Sequence, residues 1–275
     1  YKYFAALLLF GSNGIVASNI NLPSYEIVLL RLLLGSLFLI TVFTVSRQRF
    51  TFYRNKHTCL YLFISASAMG ASWMLLYEAY QQVGISIASL AYYCGPVIVM
   101  ILSPFLFRET LTWPKIAGFL TVLAGMCLVN LQALDEGKTI WGLFCGLMSA
   151  FMYALMVTAN KKAKPESGLE NSLLQLVIGS FIVVAFVSMQ KNFVLSLTTI
   201  DWIPVLLLGL LNTGIGCYLY FSSITDLPVQ TVAICGYLEP LSAVVFSVLF
   251  LHEVLLPLQM LGAVLILGGA ISVSY

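Results

Sequence analysis

The sequence predicts an all-α integral membrane protein: ten transmembrane helices forming two inverted five-helix repeats around a central cavity. Three observations predict it. Of 275 residues, 60% are hydrophobic and only 9% charged, against roughly 25% charged in soluble chains. The apolar residues fall in runs of about 20, the length of a membrane-crossing helix rather than of a short alternating barrel strand. The two halves of the chain also share features at one fixed offset.

Apolar runs between polar punctuation place the spans near 3–20, 25–46, 58–80, 86–107, 113–132, 140–160, 170–189, 202–223, 228–251 and 257–274. The connections are short and hold no soluble domain. The first span lacks a cleavage-like site and reads as a membrane span, not a signal peptide. A short segment is expected to precede Tyr1. Orientation follows from the basic residues. With the N-terminus in the cytoplasm, Lys2, Arg47, Arg49, Arg54, Lys56, Arg108, Lys115, Lys161, Lys162 and Lys164 lie inside. Only Lys138 and Lys191 lie outside, and Arg31 falls within the second span. Both termini are therefore expected in the cytoplasm, and the protein in the cytoplasmic membrane.

A shift of 144 residues superposes Gly35 on Gly179, Gly70 on Gly214, Tyr93 on Tyr237, Pro96 on Pro240, Glu109 on Glu253, Gly118 on Gly262 and Gly125 on Gly269. Each half, 1–134 and 138–275, then holds five spans. Five is odd, so the second half enters the membrane inverted. Such inverted repeats place a substrate path at their interface, near the midplane.

The ninth span carries Glu239 directly before Pro240. Counting at ~1.5 Å per residue puts Glu239 ~18 Å deep in a core ~30 Å thick. A carboxylate there is costly and must face protein or water, where it pairs or protonates. It reads as a site for a proton or a substrate's cationic group, or as a buried acid bonded to helix backbone. Pro96 and Pro240 loosen their helices beside this depth and are expected to shape the segments that move.

Glu78 closes the third span within a turn or two of the outer water, Arg31 lies about two turns into the second span from the same side, and an Arg31–Glu78 pair is expected at that depth near the outer mouth. It reads as a gate, as an anchor for a substrate carboxylate, or as a structural pair. Glu109 and Glu253 end the fourth and ninth spans. Each precedes the N-terminus of the next span, where negative charge is favourable, and reads as structural.

Trp73, Tyr77, Tyr92, Tyr93 and Tyr237 are expected to line the cavity, with Tyr80, Tyr153, Tyr218 and Tyr220 as further candidates. Such rings can face a cation or hydrogen-bond a polar solute, or can form an interfacial belt. Asn13, in Gly11-Ser12-Asn13-Gly14, and Asn212, in Asn212-Thr213-Gly214-Ile215-Gly216, are mid-span amides that either line the cavity or pack helices. The six cysteines lie in or beside apolar runs and read as small fillers. The chain has no phosphate loop, HExxH motif, metal-ligand spacing or serine-nucleophile elbow. No cofactor, metal, nucleic acid or catalysis is expected. The partners are a small-molecule substrate, protons and the lipid bilayer.

The segments EAYQQVGISIASLAYYCGPVIVMILSPFLFRETLT and YLEPLSAVVFSVLFLHEVLLPLQMLGAVLILGGA resemble the two repeat signatures of EamA-type transporters of the drug/metabolite transporter superfamily. The resemblance covers nearly the whole chain. It implies ten helices in two inverted repeats and transport of small metabolites such as amino acids. Arg31 matches an arginine common in the family's second span, and Glu239, Pro240 and Glu253 match its pattern. Gly95 stands where the second half has Glu239, so carboxylate chemistry is expected on one side only. An exporter of amino acids or related amines is the expected activity. An organic-cation exporter, and then a membrane enzyme or scaffold, are the alternatives.

Overall fold

A computed structural model describes residues 1–20, 22–83, 88, 91–130, 140–189, 202–251 and 257–273. No strand occurs among them. The helices are α1 (Lys2–Gly11), α2 (Asn13–Ser18), α3 (Ser24–Val45), α4 (Lys56–Val83), α5 (Cys94–Phe107), α6 (Trp113–Asn130), α7 (Ile140–Ala163) and α8 (Gly168–Ser188). They continue as α9 (Trp202–Leu206), a π-helix (Leu207–Ile215), α10 (Gly216–Ser223), α11 (Val229–Cys235), α12 (Leu238–Leu251) and α13 (Pro257–Val273).

Among the described residues, six helical stretches are long and apolar enough to cross a membrane: Tyr25–Val45, Lys56–Val83, Ile140–Ala163, Gly168–Ser188, Trp202–Ser223 and Val229–Phe250. Lys2–Ala17 and Cys94–Phe107 are shorter apolar helices. The outer surface confirms the setting. Leu33, Leu37 and Ile40 on α3, Phe144, Leu147 and Phe151 on α7, and Leu258, Leu261 and Val264 on α13 are all exposed at helical spacing. In water such stripes would drive aggregation; in lipid they are the natural outer face.

The interior is instead polar at selected points. Ser72 Oγ donates to Ser149 O at 2.9 Å, and Ser149 Oγ donates to Ser72 O at 2.7 Å, tying α4 to α7. Asn160 and Asn171 exchange amide hydrogen bonds of 2.9 and 3.1 Å between α7 and α8. Lipid gives helices no hydrophobic reason to associate, so such bonds and close backbone packing hold the bundle together. The α6 and α13 backbones pack closely. A Cβ on Gly125 would lie 2.6 Å from Gly262 O, and one on Gly269 would lie 2.5 Å from Gly118 O.

Among the described residues, four expected spans are not continuous α-helix. The first breaks at Ser12, between α1 and α2. The fourth has a turn at Tyr93, between helical Ala91-Tyr92 and α5. The eighth widens into the π-helix. The ninth stops at Cys235 and restarts at Leu238, after the turn Gly236-Tyr237. Pro240 is therefore the third residue of α12, and Pro96 the third of α5. Neither interrupts a mid-helix ladder, because first-turn N–H groups have no intrahelical partner to lose. The proline inside α5 is Pro104.

At one end of the bundle, Arg47, Arg108 and Lys164 follow α3, α5 and α7 with positive φ angles of 51°, 56° and 48°. Connections at that end are tied together, Ser167 Oγ donating to Gln48 Oε1 at 3.0 Å.

Candidate functional site: a charged, aromatic-walled cavity

Breaks in helices leave backbone groups without intrahelical partners and let side chains approach one another mid-bundle. Here they surround a cavity of about 650 Å³. Arg31 from α3, Trp73 and Tyr77 from α4, Tyr92, Tyr93 and Glu239 line it, together with Asn13 of α2 and Tyr153 of α7. The lining continues to Ile20, Leu22, Tyr80 and Gln81, at the end of the bundle remote from Lys2. At the other end, Tyr153 and Tyr220 form the floor, their hydroxyls 3.4 Å apart. Tyr3 packs beneath, its ring 5.5 Å from that of Tyr220, and its hydroxyl donates to Val232 O at 2.7 Å.

Glu239 sits in the first turn of α12, immediately after the Gly236-Tyr237 break. The N-terminal end of a helix is the favourable end for a carboxylate. Arg31 lies within electrostatic reach of it. The guanidinium of Arg31 stacks on Trp73, 4.6 Å from the ring centroid, and Nε donates to Thr213 Oγ1 at 2.9 Å. The tyrosines form a continuous wall: Tyr92 lies 5.7 Å from Tyr93 and 5.5 Å, edge to face, from Tyr153.

Three expected site residues face elsewhere. Arg31 does not pair with Glu78. The Glu78 carboxylate accepts from the Tyr25 hydroxyl, from Gln82 Nε2 at 3.1 Å and from Trp141 Nε1 at 3.4 Å. Tyr25 precedes Arg31 by six residues, ~9 Å along a helix, and so meets the end of α4 while Arg31 meets its middle. Asn212 is buried rather than lining: Nδ2 donates to Leu9 O at 2.8 Å, Ser12 Oγ at 2.8 Å and Asn13 Oδ1 at 3.0 Å. It joins Ser12, whose N–H and Oγ also donate to Leu9 O at 3.1 and 2.7 Å, and it braces Asn13. Tyr237 is fully buried, and its hydroxyl donates to Tyr93 O at 2.7 Å.

Glu109 has a structural role, with a different partner from the one expected. Its carboxylate accepts from Val229 N at 2.8 Å and Gln230 N at 3.1 Å, capping α11 rather than α6. Lys161 Nζ donates to Thr225 O and, at 2.6 Å, to Leu227 O. The connection before α11 is thus held from two sides. Glu253 lies outside the described residues. Glu109→Gln leaves one acceptor for two N–H groups and turns an amide N–H toward the other. It should destabilise the protein by about 1–2 kcal/mol, read as a lower Tm in detergent.

Sequence reasoning missed Glu170, which is buried and accepts from Thr51 N at 2.6 Å, Thr51 Oγ1 at 2.6 Å and Phe52 N at 2.9 Å. The spacing Ser167-x-x-Glu170 marks a helix start, and Ser167 Oγ does accept from Glu170 N. Nothing local indicated that the carboxylate would reach a connection 118 residues away.

A multi-pass helical membrane protein with a cavity walled by buried charges and aromatic rings belongs to the class of small-molecule transporters. The chain belongs to the EamA-like transporter family, which matches residues 3–131 and 140–275. It is 27% identical, over 98% of its length and 86% of the relative's, to "Uncharacterized transporter YxxF" of Bacillus subtilis (strain 168). It is 28% identical, over 89% of its length and 78% of the relative's, to "Threonine/homoserine exporter RhtA" of Escherichia coli (strain K12). A solved crystal structure shares the fold, with a TM-score of 0.84, 17% identity, and coverage of 98% of this chain and 95% of that one.

Proposed function

We propose that this protein is a secondary active exporter of small amino acids or related amines, working by alternating access across the cytoplasmic membrane. The observation that carries the reading is the presence of Arg31 and Glu239 in one aromatic-walled cavity. A zwitterion needs both: the guanidinium takes its carboxylate, and Glu239 takes its ammonium or a coupling proton. Tyr92, Tyr93 and Tyr153 offer ring faces to the cationic end. The name of the Escherichia coli relative, a threonine/homoserine exporter, agrees with this chemistry.

In this reading the halves 1–134 and 138–275 are inverted repeats of five membrane helices each. The α6–α13 contacts support it. Gly125 meets Gly262 and Gly118 meets Gly269, so each contact becomes the other on shifting by 144. Tyr93 and Tyr237, one offset apart, touch each other, as residues on a two-fold axis must. The family also matches the chain in two blocks, one per half. With both termini in the cytoplasm, the cavity faces outward and the Lys161 and Glu109 contacts hold its inner end.

Counterflow in proteoliposomes tests the substrate class. Labelled L-threonine should be taken up, and excess unlabelled homoserine should compete. Quaternary ammonium compounds should compete weakly, because they leave Arg31 unpaired. Competition by the quaternary compounds alone would replace this reading with the organic-cation exporter, which the tyrosine wall favours.

A further inference from the structure

The π-helix Leu207–Ile215 supplies a residue that has no role in the cavity lining yet determines how Arg31 is presented. Thr213 is wholly buried and accepts the Arg31 Nε–H at 2.9 Å. Its own proton goes to Leu208 O, five residues back, at 2.8 Å. Thr41, Thr44, Thr121 and Thr158 donate to the carbonyl four residues back, the normal reach of a threonine in an α-helix. The widened turn gives Thr213 a different carbonyl, and therefore a different direction for its lone pairs.

That direction matters because a hydroxyl has one proton. With the proton committed to Leu208 O, Thr213 can only accept from Arg31. The guanidinium is planar, so fixing Nε–H against Thr213 and one face against Trp73 fixes the whole fork. Among the described residues, the two Nη groups have no hydrogen-bond partner. They are the donors suited to a bidentate carboxylate contact. Close approach between the π-helix and α3 makes the arrangement possible. A Cβ on Gly209 would lie 2.6 Å from Leu34 Cβ, and one on Gly214 would lie 2.7 Å from Phe38 Cδ1.

We propose that Thr213 is a positioning residue: through the π-turn it holds the Arg31 fork open to the cavity, and so sets selectivity for solutes that carry a carboxylate. The proposal rests on the reading that Arg31 receives the substrate carboxylate. Preorganising a donor pair removes an ordering cost that would otherwise weaken binding.

The test compares L-threonine with 1-amino-2-propanol, the same molecule without its carboxylate, in proteoliposomes. Thr213→Val keeps the shape and removes the hydroxyl. It should raise KM for threonine roughly tenfold, the scale of one hydrogen bond to a charged group, with kcat and the KM for the amine unchanged. Thr213→Ser should restore the wild-type KM. Equal changes for the two solutes, or failure of serine to restore, would overturn the proposal by showing a packing role alone. If Thr213→Val is not recovered folded, Thr213→Ala deletes the hydroxyl without strain and is read the same way. Arg31→Gln separates the layers. If it discriminates between the solutes and Thr213→Val does not, only the positioning role fails. If Arg31→Gln affects both solutes equally, or neither solute is transported, the carboxylate reading fails and this inference with it.

Discussion

Replacing Glu239 with glutamine should lower amino-acid transport by roughly 30- to 1000-fold. That range is what about 2–4 kcal/mol gives when one partner of a buried, hydrogen-bonded charge pair is removed. The substitution is nearly isosteric, so α12, whose first turn holds the side chain, should keep its place against α1. The cavity would retain Arg31 and lose its only carboxylate among the described lining residues. An ammonium group would then meet an amide and ring faces, and a coupling proton would have no acceptor. Uptake of labelled threonine in proteoliposomes across external pH 5.5 to 8 gives the readout. Wild type should depend on pH, and Glu239→Gln should be both slow and flat across that range. Unchanged rate and pH profile in the variant would remove Glu239 from the coupling site. Unchanged rate with a lost pH response would leave it a proton site and free it from substrate contact.

The second large effect concerns folding. Gly268 and Gly269 are adjacent on α13 and should respond oppositely to the same change. A methyl group on Gly269 would lie 2.5 Å from Gly118 O and 2.7 Å from Val122 Cγ2, whereas nothing lies within 4 Å of one on Gly268. Backbone cannot move aside as a side-chain tip can, so Gly269→Ala must push α13 away from α6. Overpacking of this kind costs about 1–3 kcal/mol, and lipid supplies no hydrophobic force to press the helices back. Gly268→Ala should be neutral or, through helix propensity, stabilising by up to ~1 kcal/mol. Unfolding in mild detergent would separate the two. Equal Tm values would mean that the α6–α13 contact is not needed for stability.

Much of this architecture was legible in the sequence because the bilayer imposes strict demands. A backbone without water must be helical and long, and Glu239 was visible because an acid within a long apolar run has few tolerable surroundings. The offset of 144 was legible for a related reason: its glycines and prolines mark backbone geometry that other residues cannot reproduce. Which way a side chain turns was much harder to read. A helix that is apolar all round has no polar face to orient it, so counting depth along α4 placed Glu78 near Arg31 without revealing that Tyr25 stood closer. The same blindness left Asn212 undecided between cavity wall and helix packing and put Tyr237 on the wall, although each turns away to donate to a carbonyl, at Leu9 and Tyr93 respectively. The helix breaks at Ser12 and Gly236-Tyr237 and the π-turn at Thr213 lie in runs that hydropathy treats as uniform. These irregular points, more than the regular helices, carry the candidate site.

Arg47, Arg108 and Lys164 end their helices in a left-handed conformation that costs a side-chain-bearing residue roughly 1–2 kcal/mol and a glycine almost nothing. If that end of the bundle faces the cytoplasm, three positions where glycine would fold more comfortably are given to cations. In the finished protein a cation at a helix C-terminus contributes only about 0.3–1 kcal/mol. The nascent chain gains more, since these are the charges that resist being carried through the bilayer while the helices are still choosing a direction. Part of the conformational strain in the mature protein is then a record of its insertion, kept at the places where each helix had to stop on the correct side.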